Sequence, residues 1–280
     1  MRIIDTKDII PLVRDLCQKA CYELGQDLLS SYRQSQAKEE SDSGREVLQM
    51  LIDNAEYAKT KKIPVCQDTG VAVVFMSIGQ EVCWKGMHLI DAVNEGVRRG
   101  YTEGYLRISV IDDPITRKNT GDNTPAVVHT DIIPGDRVTI TVLPKGFGSE
   151  NMNHVRMLTP AEGVEGFKNY VVDVINTVGA KSCPPFVVGI GIGGTTEKAA
   201  ILAKKALLRE MGQRHVQEYV STLEVELKDR INDLGIGPLG FGGRITVLDV
   251  FIETYATHIA GFPVAVNPQC HANRHASVTI

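Results

Sequence analysis

Three cysteines constrain this chain more than any other feature. Cys66, Cys183 and Cys270 stand far apart, each beside a turn-forming proline or in a polar loop: Pro64-Val65-Cys66-Gln67-Asp68-Thr69-Gly70, Ser182-Cys183-Pro184-Pro185 and Asn267-Pro268-Gln269-Cys270-His271. None belongs to a C-x-x-C pair. The arrangement predicts three loops converging on one iron–sulfur cluster with an iron left open. Four thiolates close a four-iron cluster for electron transfer, whereas three leave one iron free to hold an oxygen substrate as a Lewis acid. The rival of a different class is an electron carrier or a zinc-binding scaffold, which needs a fourth ligand. His271 is the convenient candidate for it.

The other three cysteines read as structural. Cys17 and Cys21 lie four apart within Ile9, Ile10, Leu12, Val13, Leu16, Ala20, Leu24 and Leu28, the apolar stripe of a helix. Cys83 sits in the apolar stretch around Val82 and Trp84. Six cysteines in 280 residues are too sparse for a secreted disulfide scaffold. A net charge of −4 leaves no basic excess for a general nucleic-acid binder. The start, Met1 to Asp8, carries acids where a signal core would be apolar, and no later segment reaches a membrane span. A cytoplasmic protein without a nucleic-acid or membrane partner is expected.

Periodicity predicts an amphipathic helix from residue 7 to about 33, then a second carrying Val47, Leu48, Leu51, Ile52, Ala55 and Ala58 on one face. A strand at Val71 to Ile78 and a helix around 87–100 follow. Residues 126–133 and 137–143 read as strands joined into a hairpin by Pro134-Gly135-Asp136. Helical patterns return at about 161–178, 195–212 and 215–233, with strands at Phe186 to Ile190 and near 245–254. The expected fold is α+β: one mixed, largely antiparallel small sheet with surrounding helices, in a single domain spanning residues 1–280. No repeat, low-complexity block or linker interrupts it.

Gly189-Ile190-Gly191-Ile192-Gly193-Gly194 satisfies G-x-G-x-x-G, but the position of the required acidic residue about 20 residues on falls in what reads as a helix end, Leu207 to Gly212. Gly235-Ile236-Gly237-Pro238-Leu239-Gly240 contains a proline that cannot donate to phosphate. These loops, with Gly146-Phe147-Gly148, suit close approach of backbone to a cluster or a small anion. A dianionic substrate needs fixed arginines. Arg107 and the polar loop from Arg117 to Pro125 are candidates. Asp68, two residues after Cys66, is placed to orient or deprotonate a donor, or else to close an Asx-turn at Gly70. His258 is the histidine assigned to proton transfer on the oxygen side.

Taken together, Pro64 to Gly70, Asn119 to Ala126, Gly148-Ser149-Glu150-Asn151, Cys183-Pro184-Pro185, the run from Gly194 to Ala200, and Cys270 resemble the class I, iron–sulfur fumarate hydratases and their relatives the L-tartrate dehydratases. The resemblance covers nearly the whole chain. It implies a 4Fe-4S cluster on Cys66, Cys183 and Cys270, with Gln67, Asp68, Arg107, Gly148 and His258 lining a dicarboxylate pocket. Phe147 departs from the family's more usual triple glycine. Single-chain members continue into a second domain that supplies further arginines, a lysine and a catalytic threonine. No such region follows Ile280, so the expectation is an alpha subunit completed by a separate beta subunit, in a hetero-oligomer of two alpha and two beta chains. The implied reaction is hydration of fumarate to (S)-malate, with dehydration of L-tartrate to oxaloacetate as the nearest alternative.

Overall fold

The computed structural model describes residues 1–280. Along the chain run β1 (Arg2–Asp5), α1 (Ile9–Tyr22), α2 (Gln26–Lys38), α3 (Asp42–Lys61), β2 (Val71–Gly79), β3 (Val82–Lys85), α4 (Leu89–Glu103), β4 (Val127–Ile133), β5 (Val138–Lys145), α5 (Phe147–Glu150), β6 (His154–Leu158), α6 (Gly163–Val178), β7 (Phe186–Gly193), α7 (Thr196–Ala206), α8 (Glu218–Asn232), β8 (Val247–Tyr255), β9 (Phe262–Gln269) and β10 (Ala276–Thr279). The α+β class is as expected. The residues group into two compact units whose stretches alternate in sequence: 1–24, 55–147 and 274–280 in the first, 25–54 and 148–273 in the second. That interleaving explains why no linker is legible. No helix is long and apolar enough to cross a membrane.

In the first unit a four-stranded sheet, ordered β10-β5-β2-β4, packs against α1 and α4. Ile9, Val13, Cys17, Ala20 and Cys21 are all fully buried there, so the apolar stripe of α1 and the structural role of its two cysteines hold. The expected helix over 7–33 is two helices, because the chain turns extended at Glu23 (φ −125°, ψ 126°) before α2 restarts after Gly25. The expected hairpin is also absent. β2 lies between β4 and β5, parallel to one and antiparallel to the other. The groups at the bend are taken by the β2–β3 turn: Gly79, Gln80 and Glu81 donate N–H bonds to the carbonyls of Arg137, Ile133 and Gly135 at 2.8, 2.8 and 3.0 Å. Pro134-Gly135-Asp136 makes the turn as its chemistry requires, but it is wide enough to admit a strand.

Helix α4 meets α1 through Gly96 and Gly100. A Cβ on Gly96 would lie 2.6 Å from Val13 Cβ and 2.9 Å from the Ile10 carbonyl oxygen. Gly96→Ala gains about 1 kcal/mol of helix propensity but collides with backbone that cannot yield, an overpacking cost of about 1–3 kcal/mol. The expected result is a net loss in urea unfolding; an unchanged midpoint would show that the helices can separate freely.

In the second unit the sheet order is β6-β9-β7-β8. The single small sheet of the sequence reading is therefore two four-stranded sheets, each with two antiparallel pairings and one parallel one, beside a β1–β3 ribbon. Strand β9 escaped prediction because Pro263 and Pro268 disfavour an interior strand. Each proline lies where one neighbour is missing: pairing with β7 stops at Val264 and pairing with β6 stops at Val266. The G-x-G-x-x-G run does join β7 to α7, yet its glycines serve packing. Cβ atoms on Gly189 and Gly191 would each lie 2.0 Å from a carbonyl oxygen of α7, those of Ala203 and Ala199.

Glu39 anchors the loops of this unit. Its carboxylate, 3% exposed, accepts N–H bonds from Glu40, Ser41, Arg244 and Ile245 at 2.7–2.9 Å. Burial pushes its pKa up, but the four donors outweigh burial and hold it below the usual carboxylate range. A depressed folded pKa contributes stability that is complete above the unfolded value, about 4.3, and fades as pH falls through the folded one. Glu39→Gln is therefore expected to cost about 2 kcal/mol at pH 7, the gap from wild type narrowing below pH of about 4. Denaturant unfolding at both pH values checks it.

Candidate functional site

The first unit gathers four of the expected site residues. Cys66 is half-buried, and its Sγ lies 3.5 Å from Gln67 Oε1. Asp68 is tied at both oxygens: Oδ1 accepts the Gly70 N–H at 3.0 Å, closing the expected Asx-turn, and Oδ2 accepts the Phe147 N–H at 2.9 Å. A carboxylate offers about four lone-pair sites, so capacity remains to receive a substrate hydroxyl or proton. Thr69 Oγ1 donates to the Arg107 carbonyl at 3.1 Å, which binds the Arg107 segment to the same loop. The Arg107 side chain is exposed and makes no ion pair within the chain. An exposed guanidinium left uncommitted on a segment tied to this loop is suited to receive an acid group.

Sequence reasoning missed what holds this loop. Buried Asn123 accepts from the N–H groups of Ser109 and Val110 at 2.7 and 3.2 Å and donates to the Gly70 carbonyl at 3.1 Å. The Arg117–Pro125 loop, expected to meet substrate, thus contributes a clamp. Tyr101 OH donates to the carbonyls of Thr69 and Gly70 at 2.8 and 3.1 Å. Arg274, only 2% exposed, donates to the Asp68 carbonyl. Cys21 lies beneath: its carbonyl accepts the Val65 N–H at 3.0 Å. Burial raises its thiol to about 11, with Arg274 opposing and Cys66 and Asp68 adding to the rise. Cys21 is thereby kept a protonated core residue although it neighbours Cys66. The one sequence signal for Arg274 was a charged residue shortly after the last cysteine loop.

The second unit holds Cys183 and Cys270 at one end of its sheet. Cys183 precedes β7 and Cys270 follows the antiparallel β9, with Val187 facing Gln269 in the register. The loops are joined directly, the His271 N–H donating to the Cys183 carbonyl at 3.1 Å. Cys183 is exposed and left-handed (φ 55°), a backbone state uncommon for a non-glycine residue. Fully buried Tyr32 donates its hydroxyl to the His271 carbonyl. Burial, and then the nearness of Cys270, pushes the Tyr32 pKa well up, so it stays a donor. Gly148, in the short turn of α5, is exposed with open space where a side chain would be.

His258 is not at the cysteine end. It lies in the loop from β8 to β9, where its Nδ1 accepts the Ala260 N–H at 3.2 Å and lines an open cleft with Lys198 and Tyr255. The 8 residues of β9 separate it from Cys270 by roughly 25 Å at about 3.3 Å per residue. Nearness in sequence misled here, because the intervening segment is fully extended.

No disulfide joins any of the six cysteines. No three His, Cys, Asp or Glu side chains gather closely enough to chelate one metal ion. A four-iron cube instead takes one thiolate at each ligated corner. The donor chemistry fits that group: Cys66, Cys183 and Cys270 are the accessible or half-exposed loop thiols, while Cys17 and Cys21 are sealed in α1.

By class the chain is a hydro-lyase, since residues 10–279 match the profile of fumarate hydratase (Fumerase). It belongs to that family, as its motifs implied. It is 42% identical over 274 residues, covering 96% of each chain, to a Methanocaldococcus jannaschii protein provisionally named L(+)-tartrate dehydratase subunit alpha. It is 34% identical over 258 residues to the L(+)-tartrate dehydratase subunit alpha of Escherichia coli K12 and to that of Shigella sonnei, covering 91% of this chain and 84% of each.

Proposed function

We propose that this chain is the cluster-bearing alpha subunit of an iron–sulfur hydro-lyase that reversibly removes water from a four-carbon hydroxydicarboxylate. The observation that carries the reading is the single loop system in which Cys66, Gln67, the tethered Asp68 and the Arg107 segment are bound together. Cys66, Cys183 and Cys270 would hold the cluster, which when bound supplies a Lewis acid toward the departing hydroxyl. Arg107 pairs with a substrate carboxylate and draws charge from the carbon that loses its proton. Gln67 orients the substrate from beside the Cys66 sulfur. Asp68, its geometry fixed by two backbone N–H bonds, accepts and returns the proton on the oxygen side. Open space at Gly148 lets substrate pass close to backbone.

The subunit names of the relatives support a partner beta chain, which would bring further cations and the carbon-side base. They also favour L-tartrate over fumarate, reversing the order expected from the motifs. His258 is assigned no step at this chain's own cysteines; a role for it requires a second chain.

The test is anaerobic reconstitution of the complex with iron and sulfide, followed by turnover of L-tartrate, (S)-malate and fumarate. Oxaloacetate formed from tartrate faster than malate and fumarate interconvert supports the substrate assignment, and the opposite ranking restores fumarate. Full turnover by the purified chain alone would remove the need for a partner.

A further inference from the structure

Away from the cysteine loops, the second unit contains a polar cavity of about 390 Å³ lined by α2, α8 and the segment entering β8. This is within the size range of small-molecule sites. Its α2 wall includes Ser31, Ser35 and Lys38, spaced four and then three apart and so on one helical face. Facing them stand Lys228 from α8 and Arg244, over a floor formed by Ile245 and Val247.

Three observations make this a built site. Lys38 makes no ion pair in the chain. Lys228 meets one carboxylate, at the long distance of 3.9 Å to Asp249 Oδ1, an oxygen that also accepts the Val250 N–H at 3.0 Å, while Arg214 and the Gly212 N–H take Oδ2. Ser35, nine-tenths buried, lines the cavity with a hydroxyl that no protein group engages. Glu40, Asp229, Lys38 and Arg244 are all exposed at the rim, and Arg244 meets Asp233 at 3.3 Å. Burial lowers the pKa of Lys228; Asp249 and, more weakly, Asp229 oppose that, while Arg214 and Lys38 add to it by repulsion. Cations that repel one another across a partly open polar cavity, beside an unused hydroxyl donor, are relieved by an anion between them.

We propose that this cavity binds a small metabolite through an anionic phosphate or carboxylate group, held by Lys38, Lys228 and Ser35. The site shares no residue with the proposed catalytic loops, so it does not depend on the assignment of the reaction. Because α2 also carries Tyr32, which holds the His271 carbonyl, an occupant would stiffen a helix that already supports the Cys270 loop.

Isothermal titration of the full chain with inorganic phosphate, and separately with malonate, tests the proposal and distinguishes the two head groups. Saturable one-site binding is expected for at least one probe. Lys228→Met, Lys38→Gln and Ser35→Ala should each weaken it about tenfold to a hundredfold, while Lys228→Arg retains it and Arg107→Gln leaves it unchanged. Unaltered urea midpoints establish that the variants fold. No saturable binding of either probe, equal binding by Lys228→Met and wild type, or loss of binding in Arg107→Gln would each overturn the assignment.

Discussion

Cys183→Ala is expected to abolish both cluster assembly and turnover, and Cys66→Ala and Cys270→Ala to do the same, whereas Cys17→Ala and Cys21→Ala assemble a full cluster. The contrast follows from where the fold puts each thiol. Cys17 and Cys21 are fully buried in α1, and desolvation holds their pKa values well above the usual range, so neither supplies a thiolate. Cys183 stands exposed on a left-handed residue, and its loop is fixed to that of Cys270 by the His271 N–H. If these three thiolates hold the cluster, losing one of them leaves it without a ligand that the buried Cys17 and Cys21 cannot replace. Because a Lewis-acidic metal contributes several kcal/mol, and each 1.4 kcal/mol is tenfold in rate, the drop should be on the order of a thousandfold or more. Iron and sulfide content, with the electron paramagnetic resonance signal before and after substrate, measure cluster and function separately. A full cluster in any of the three loop variants, or an empty Cys21→Ala protein that is otherwise folded, would refute the ligand set.

The second large effect is expected at Asp68. Asp68→Asn keeps the shape of the side chain but removes the charge, and its amide can present only one oxygen to the two N–H groups of Gly70 and Phe147. General acid–base catalysis contributes about 10²- to 10⁴-fold, so kcat should fall by that much. Iron content should stay at the wild-type level, because Cys66 is not altered. Arg274→Met should produce a smaller loss, since the guanidinium acts on the Asp68 carbonyl and not on substrate. As a positioning residue it should also shift the pH profile of kcat/KM, and Arg274→Lys should recover part of the rate. Undiminished turnover in Asp68→Asn would transfer the oxygen-side proton to another group. A cluster lost from Asp68→Asn would instead make the residue structural.

The two variant sets separate binding of the group from use of it. If the cysteine variants lose cluster and Asp68→Asn keeps it, the loop from Cys66 to Gly70 performs two tasks with adjacent residues.

Much of this arrangement was legible before the fold was known. The α1 stripe, the strand at Val71 to Ile78, the Asx-turn at Asp68 and the division of the cysteines into three sealed or strand-bound and three in loops all follow from local periodicity and turn chemistry. The site residues next to Cys66 were legible for the same reason, being carried on one short loop. Arg274, Asn123 and Tyr101 were not, because a buried polar residue declares its purpose only through partners distant in sequence. Glu39 is the clearest case. Nothing around it in the chain points to Arg244 and Ile245, whose N–H groups it accepts.

By itself, then, the sequence determined the α+β class, the helical and extended segments, and which thiols stand in loops, since these depend on residues a few positions apart. The tertiary structure alone decided that β2 separates β4 from β5, that the Cys183 and Cys270 loops meet at one sheet end, and that His258 lies at the other. Strand partnership and direction arise from non-local hydrogen bonding and shared burial, and an extended strand can carry near neighbours in sequence to opposite ends of a sheet.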